Sequence, residues 1–276
     1  MDISLLTWNL AAAPLLTTVA AEPVDVALLQ EVARPAGDLP VTLIPDPAED
    51  PWRTDGWKSR PWRTAIAKVS DRVELREIPT DQLCDQDRSR LAVSRPGTLT
   101  AADVLLGNDA IITVVSWYAS WEHPPGDTRL LGADSAAHRL LSDLAALVDH
   151  DRHHRHLIVA GDLNLLYGYG EHGNPYWARR YATVFERAEA MGLTMVGPQH
   201  PHGRQAEPWP AELPTGSRNV PTYHTARQRP ASATRQLDFV FASHAIADRV
   251  RVQALNSISE WGPSDHCRIR IELANP

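Results

Sequence analysis

The chain repeats one pattern: a short apolar run that breaks abruptly into polar side chains. Residues 157–160 read Leu-Ile-Val-Ala and are followed by Gly161, Asp162, Leu163 and Asn164. An unbroken apolar run of this length predicts a strand covered on both faces, or a short buried helix, which periodicity alone does not separate from it. Gly161 then permits a turn at the strand end. If the chain stays extended, Asp162 and Asn164, two positions apart, project to one face. An Asx-rich turn after a core strand accounts for the same residues without any function. The same break occurs after 3–8, at Asn9, and after 24–29, at Gln30 and Glu31.

Further strand-like segments lie at 65–69, 73–78, 90–94, 98–105, 110–118, 236–241, 250–254 and 267–273, separated by polar turns. Helical spacing marks 134–149, where Leu140, Leu141, Leu144, Leu147 and Val148 share a face, and 176–191; a short helix is predicted over 12–21, with Pro14 in its first turn. Residues 40–63 and 197–235 carry Pro and Gly without periodicity and predict long loops. Strands dominate, helices are interspersed, and no linker or composition shift divides the sequence. The expectation is one α/β domain over residues 1–276.

Composition narrows the function classes. A chain of 276 residues with 43% apolar side chains supports a substantial core. Its net charge of −7 argues against coating nucleic acid by positive charge alone, but leaves room for an enzyme with a local basic groove. Cys84 and Cys267 cannot build a disulfide framework. Residues 10–21 are apolar but lack a preceding basic region and contain Pro14, so they read as strand exit and helix rather than a signal peptide, and a cytoplasmic protein without membrane attachment is expected. The stretch from His150 to His156 places His150 and His154 four apart, yet no cysteine lies near and no glutamate lies between them; a solvated connection accounts for it better than a metal site.

Seven polar residues in five places fall at or beside predicted strand ends: Asn9, Glu31, Asp162 with Asn164, Asp238, and Asp265 with His266. Each alone reads as a cap, a turn residue or an internal partner. Together, Thr7-Trp8-Asn9, Leu29-Gln30-Glu31, Gly161-Asp162-Leu163-Asn164, Leu237-Asp238-Phe239-Val240-Phe241 and Ser264-Asp265-His266 resemble, in content and order, the endonuclease/exonuclease/phosphatase (DNase I-like) superfamily. The resemblance implies a four-layer α-β-β-α sandwich with two central mixed β-sheets and the site at one edge. It also implies phosphoester hydrolysis dependent on Mg²⁺ or Mn²⁺. Glu31 would be the principal metal ligand, helped by Asn9 and Asp265. Asp162 would deprotonate the attacking water, Asn164 would hold a phosphate oxygen, and His266 paired with Asp238 would face the phosphate. Tyr118 resembles a tyrosine that contacts phosphate or leaving group in the AP endonuclease branch. Where that branch commonly has an aspartate two residues after Trp-Asn, this chain has Ala11, and the sequence after Asn164 also departs from it.

Two segments are locally basic. Residues 52–68 interleave Arg53, Lys58, Arg60, Arg63 and Lys68 with Trp52, Trp57 and Trp62; residues 204–235 add Arg218, Arg227 and Arg229. Rings alternating with cations suit stacked bases and neutralised phosphates. The same residues also suit tryptophans that pin a loop to the body, with cations in solvent. The expected activity is a metal-dependent phosphodiesterase, a nuclease with Trp52, Trp57, Trp62, Arg53 and Arg63 on the substrate. The alternatives are a phosphomonoesterase acting on a soluble phosphorylated metabolite or inositol-type head group, and a catalytically silent binding domain.

Overall fold

The chain builds one sheet, then a second, and returns to the first with its last two strands. A computed structural model describes residues 2–48, 52, 62–83, 90–107, 109–120, 132–148 and 156–274. Strand β1 (Ile3–Asn9) leads through a short helix α1 (Leu16–Ala20) to β2 (Val26–Ala33), β3 (Thr42–Ile44) and β4 (Trp62–Lys68). Next come β5 (Glu74–Ile78), β6 (Thr80–Gln82), β7 (Leu91–Val93), β8 (Leu99–Leu106) and β9 (Asp109–Tyr118). Helix α2 (Ala133–Leu144) precedes β10 (Leu157–Asp162), and α3 (Pro175–Ala190) precedes β11 (Leu193–Gly197). After a long loop the chain ends in β12 (Asp238–Ser243), β13 (Val250–Leu255) and β14 (Arg268–Leu273).

One six-stranded sheet has the order β13-β14-β1-β2-β4-β3 and the other β11-β12-β10-β9-β8-β5; β6 and β7 pair separately. Each large sheet has a parallel pair at its heart, β1 with β2 and β10 with β9, flanked by antiparallel neighbours. Both sheets are therefore mixed, and the four-layer sandwich expected from the sequence is the architecture. The outer layer on the second sheet is α2 and α3, with Asn174 capping α3 by accepting from the Tyr176 N–H. On the first sheet it is α1 with loops. Run 157–160 is a strand, and short strands β3, β6 and β11 lay in stretches with too few residues to show a period.

Alternation along the strands sorts their side chains between two cores. In β10, Ile158 and Ala160 face the seam between the sheets, where Leu5, Val26, Leu28, Val240 and Ile269 meet them. Leu157 and Val159 face the helices with Phe239, Phe241, Leu140, Leu144, Tyr181 and Val184. Period two carries this sorting forward, so Asn9 after Leu5, Gln30 after Leu28, Asp162 after Ala160 and Asp238 before Val240 all belong to the seam face. Register completes the convergence: Asp162 pairs across from Asp238 on one side and Tyr118 on the other, and Asn9 from Gln30. Four polar side chains thus gather at one mouth of an apolar seam.

Two features at that mouth depart from the sequence reading. Glu31 does not end a strand; β2 continues to Ala33 through a bulge, because Leu29 and Val32 pair with Ala65 and Arg63 and one extra residue is accommodated between them. Glu31 takes φ 49°, a left-handed conformation that usually falls to glycine, and this re-aims its side chain into the cleft. Gly161 lies inside β10 rather than in a turn. A Cβ there would sit 2.1 Å from the Trp117 carbonyl oxygen and 2.9 Å from Gln30 Nε2, with φ at 147°. The glycine lets Gln30 cross the seam, where its Nε2 donates to Ser116 Oγ at 2.9 Å and Ser116 Oγ donates to Leu29 O at 2.7 Å. Gly161→Ala should therefore lower the urea midpoint by the equivalent of about 3 kcal/mol or more, and an unshifted denaturation curve would refute this account of the seam.

Candidate active site

Asp162 is buried at the end of β10 with every oxygen addressed. Its Oδ1 accepts from the Asn164 N–H at 2.8 Å, and its Oδ2 accepts from Asn164 Nδ2 and Asn9 Nδ2, each at 3.1 Å. The carboxylate and the carboxamide stand side by side as expected, but through an Asx-type turn with Asn164 at φ 51°, not through extended geometry. His266, also buried, places Nε2 3.8 Å from Asp162 Oδ2. Its Nδ1–H donates to Asp238 Oδ2 at 2.8 Å. Asp162, His266 and Asp238 are thus one connected unit at the seam.

The surrounding loops hold this unit by hydrogen bonds. Thr222 Oγ1 accepts from the N–H groups of Leu237 and Asp238 at 2.9 and 3.1 Å. Ser264 Oγ donates to Asn9 O at 2.7 Å and accepts from the His266 N–H at 3.2 Å. Trp8 Nε1 donates to His266 O at 3.0 Å. Neither Thr222 nor Ser264 carries chemistry of its own; each fixes the backbone of a residue that does.

These groups open onto a cleft of about 580 Å³ whose lining includes Glu31, Tyr118, Asn164, Asp265, Trp62 and Ala11. Tyr118, at the end of β9, is thus brought to the same cleft as Asp162 and His266. The cleft adds residues with no motif in the sequence: Tyr223, whose ring centroid lies 4.9 Å from that of His266, together with His224, Gln228 and Arg235. A long loop without periodicity concealed them; the signal that points to Tyr223 is its isolated bridge to His266, a structural fact.

Electrostatics follow from burial among like charges. Burial pushes the Asp162 carboxyl up to about 8, reinforced by Asp238 and Glu31 and opposed by His266 and the Asn164 N–H. For His266 burial works against the charge, but Asp238, Asp162 and Asp265 outweigh it and raise the imidazole to about 10. At neutral pH the ring is an imidazolium, ready to donate from Nε2.

The expected metal ligands separate on geometry. Asn9 uses its carbonyl oxygen on the Ala11 N–H, at 2.9 Å, and turns its NH₂ to Asp162 and to Glu31 Oε1 at 3.3 Å. Its NH₂ thus ties two carboxylates together, while its oxygen, engaged by one N–H, keeps a second lone pair for a metal or a metal-bound water. Glu31 and Asp265 are both half-buried and both line the cleft. Among the described residues no cluster of three His, Cys, Asp or Glu side chains could hold a metal by itself. Mg²⁺ commonly takes one or two carboxylates, keeps several waters and completes its shell with substrate phosphate, so this sparse donor pair fits such an ion.

The substrate-contact residues expected from the sequence divide. Trp62 lines the cleft. Trp52 does not: its ring is buried in the outer core of the first sheet and its Nε1 donates to Val32 O at 3.1 Å. Arg63 is buried as well, lies 5.3 Å over the Trp52 ring, and is lowered to about 10 by desolvation. Trp52 thus packs on the body, as the alternative for the tryptophans has it, while Arg63 is neither at the cleft nor in solvent but buried against that ring. Arg53 and Trp57 lie outside the described residues, as does the stretch 150–155. Cys267 is buried in the seam.

The titration of His266 is directly observable. In the metal-free protein, with chelator present, its side-chain ¹⁵N resonances should remain those of an imidazolium through pH 8. They should become neutral only near 10, because the raised pKa keeps the proton until pH passes the folded value. Asp238→Asn removes the carboxylate on Nδ1 and should bring that midpoint down; a neutral ring at pH 7 in the unaltered protein would contradict the charge assignment.

Solved structures share the architecture at low identity. The endonuclease domain of TRAS1, a telomere-specific non-LTR retrotransposon, is 16% identical over 99% of this chain and 98% of its own, with a TM-score of 0.61. An AP endonuclease from Leishmania major is 16% identical, covering 100% of this chain and 88% of its own, with a TM-score of 0.62. A 3′ phosphatase from Neisseria, bound to a product DNA hairpin, is 17% identical over 99% of each chain, with a TM-score of 0.56. At such identities these likenesses carry the fold. No curated protein sequence matches the chain. Residues 6–266 match the family model, a span from β1 to His266 that includes each strand-end residue of the cleft: the chain belongs to the Endonuclease/Exonuclease/phosphatase family.

Proposed function

We propose that the chain is a divalent-metal-dependent phosphodiester hydrolase acting on nucleic acid. The observation that carries this reading is the unit of Asp162, His266 and Asp238, a buried carboxyl beside a doubly flanked imidazolium, opening onto a cleft with two further carboxylates. Such a unit supplies both a proton acceptor and a donor to one phosphorus centre, which a binding module does not require. The fold neighbours support nucleic acid as the substrate class, since they include endonucleases and a phosphatase bound to a DNA hairpin.

In this reading Asp162 takes the proton of the attacking water, held in place by Asn9 and Asn164. Asn164 donates to Ala119 O at 3.0 Å as well as to Asp162, so holding a phosphate oxygen, the role that the resemblance implies, requires it to exchange one of those partners. His266 donates Nε2–H to the phosphate as negative charge builds, while Asp238 keeps the ring charged and oriented. Tyr118 faces the phosphate or leaving group from the cleft wall. Glu31 and Asp265 would hold Mg²⁺ or Mn²⁺; when bound, the ion neutralises the phosphate and favours the deprotonated form of Asp162.

A panel of DNA, RNA, bis-nitrophenyl phosphate and inositol phosphates, each with Mg²⁺ or EDTA, tests the assignment. Turnover of a diester that stops with EDTA and returns with metal is expected. Full turnover after exhaustive chelation would sink metal dependence, and action on monoesters alone would favour the phosphomonoesterase. Asp162→Asn should reduce kcat by roughly 10²–10⁴-fold while the circular dichroism spectrum is retained.

The two tryptophans give a second test. Trp62→Ala should cost roughly 1–3 kcal/mol of oligonucleotide binding if the ring stacks on a base, with less effect on bis-nitrophenyl phosphate. Trp52→Ala should instead lower stability by about 3–5 kcal/mol, as for other buried aromatics. Equal losses on both substrates from Trp62→Ala would end the stacking idea.

A further inference from the structure

Arg235 forms a part of the cleft that the hydrolytic residues leave unused. Tyr223 makes isolated antiparallel bridges with Arg235 on one side and with His266 on the other. The Thr222 and Tyr223 N–H groups both donate to Arg235 O, at 2.8 and 3.2 Å, which fixes that backbone. Directly paired residues project to the same face, and all three residues line the cleft. Two interstrand spacings separate the backbones of His266 and Arg235, roughly 10 Å. The Arg235 side chain therefore stands two positions along the wall from the imidazolium, on the far side of Tyr223.

Its guanidinium is locked in orientation. Glu171, in the turn before α3, accepts from Nη2 at 2.9 Å and from Nη1 at 3.4 Å. A guanidinium has five N–H donors in a planar fork, so three remain for another acceptor. The side chain is about one-third exposed, at 35%, and so remains within reach of a ligand. The other charged groups lining the cleft are Glu31, Asp162 and Asp265 with His266, in a chain of net charge −7. A permanent cation with a planar fork, pre-oriented beside a phosphate-facing imidazolium, matches the geometry of a phosphate oxyanion.

We propose that Arg235 is a specificity-determining residue that binds a second phosphate of the substrate, adjacent to the phosphate under attack, and that Glu171 positions its guanidinium. This rests on the phosphoester-hydrolase reading and deepens it: the preferred substrate carries at least two neighbouring phosphates. They come from successive nucleotides of one strand or from a small molecule phosphorylated twice, and the chemistry at Arg235 is the same. An ion pair that only fastens the loop to the turn before α3 is the competing account.

The experiment compares kcat/KM for bis-nitrophenyl phosphate, a trinucleotide with two phosphodiesters and an inositol bisphosphate, using the unaltered protein, Arg235→Ala and Arg235→Lys. Arg235→Ala should lower the ratio of the two-phosphate to the one-phosphate substrate by about 10- to 100-fold, mainly through KM. Arg235→Lys keeps the charge without the fork and should recover part of that loss. Which two-phosphate substrate responds identifies the source of the second phosphate. The slope of log affinity against log salt for the trinucleotide should also fall by about one in Arg235→Ala. An unchanged ratio, or equal losses on every substrate with a lowered melting temperature, overturns the proposal in favour of the loop fastener. If the unaltered protein turns over none of them, the hydrolase reading fails by itself. Arg235 is then judged by calorimetry on Asp162→Asn, with and without Arg235→Ala. Loss of the excess affinity for trinucleotide or inositol bisphosphate over inorganic phosphate supports the second-phosphate site, and equal affinities overturn it.

Discussion

The site depends on a single constraint: a carboxyl group, Asp162, held buried at the mouth of an apolar seam between two sheets. Burial disfavours its ionised form, and the neighbouring Asp238 and Glu31 disfavour it further. Such a group stays in place only if its oxygens are satisfied, and here Asn9, Asn164 and His266 surround them. Each of those partners is in turn fixed from a different part of the chain: Asn9 by the end of β1, Asn164 by the exit from β10, His266 by the entry to β14. Closing the sandwich and assembling the chemistry are therefore the same event. A loosened seam would misplace the base before it exposed any large apolar surface.

The seam itself carries polar groups that make this placement specific. Gln30 crosses between the sheets to Ser116, and the contact is possible only because Gly161 leaves no side chain in its path. The bulge that follows Gln30 then directs Glu31 outward, at a backbone conformation unfavourable for glutamate. One local irregularity thus serves both layers: Gln30 fixes the register of one sheet on the other, and Glu31 delivers a carboxylate to the cleft. A regular strand there would lose one of these two functions.

What could be read from the sequence follows from what strand periodicity encodes. Apolar runs bounded by Asn9, Asp162 and Asp238 have a parity, and parity places all three on the seam face without any knowledge of distance. The five motifs in order then lead to the family. Glu31 was legible as a site residue but not as a bulge, since a left-handed glutamate has no signature in its neighbours. Trp52 and Arg63 were misplaced because rings and cations alternate identically in a loop whether they pack on each other or face a ligand; only the bond from Trp52 Nε1 to Val32 O decides it. Tyr223 carried no chemical signal and Arg235 only closed a locally basic segment, as both sit in a Pro-rich loop whose pairing partners are an isolated bridge away. Gly161 was legible as a special position but for the wrong reason.

These differences separate two kinds of residue in the cleft. Groups on the strand ends are bound into the core on one side, so substitutions there act on chemistry and folding together. Groups on the rim lie away from the seam contacts: Trp62 opens β4, and Tyr223 and Arg235 lie on the long loop before β12. A fold that keeps its proton-transfer unit at the seam can therefore change the class of phosphoester it accepts by altering the rim alone. Ala11 fits that division: it lines the cleft where the AP endonuclease branch commonly carries an aspartate, yet its N–H still orients Asn9. The backbone retains the positioning function while the side chain that would have added another carboxylate is gone, so Glu31, Asp162 and Asp265 are the carboxyl groups lining the cleft and Arg235 carries more weight in its electrostatics.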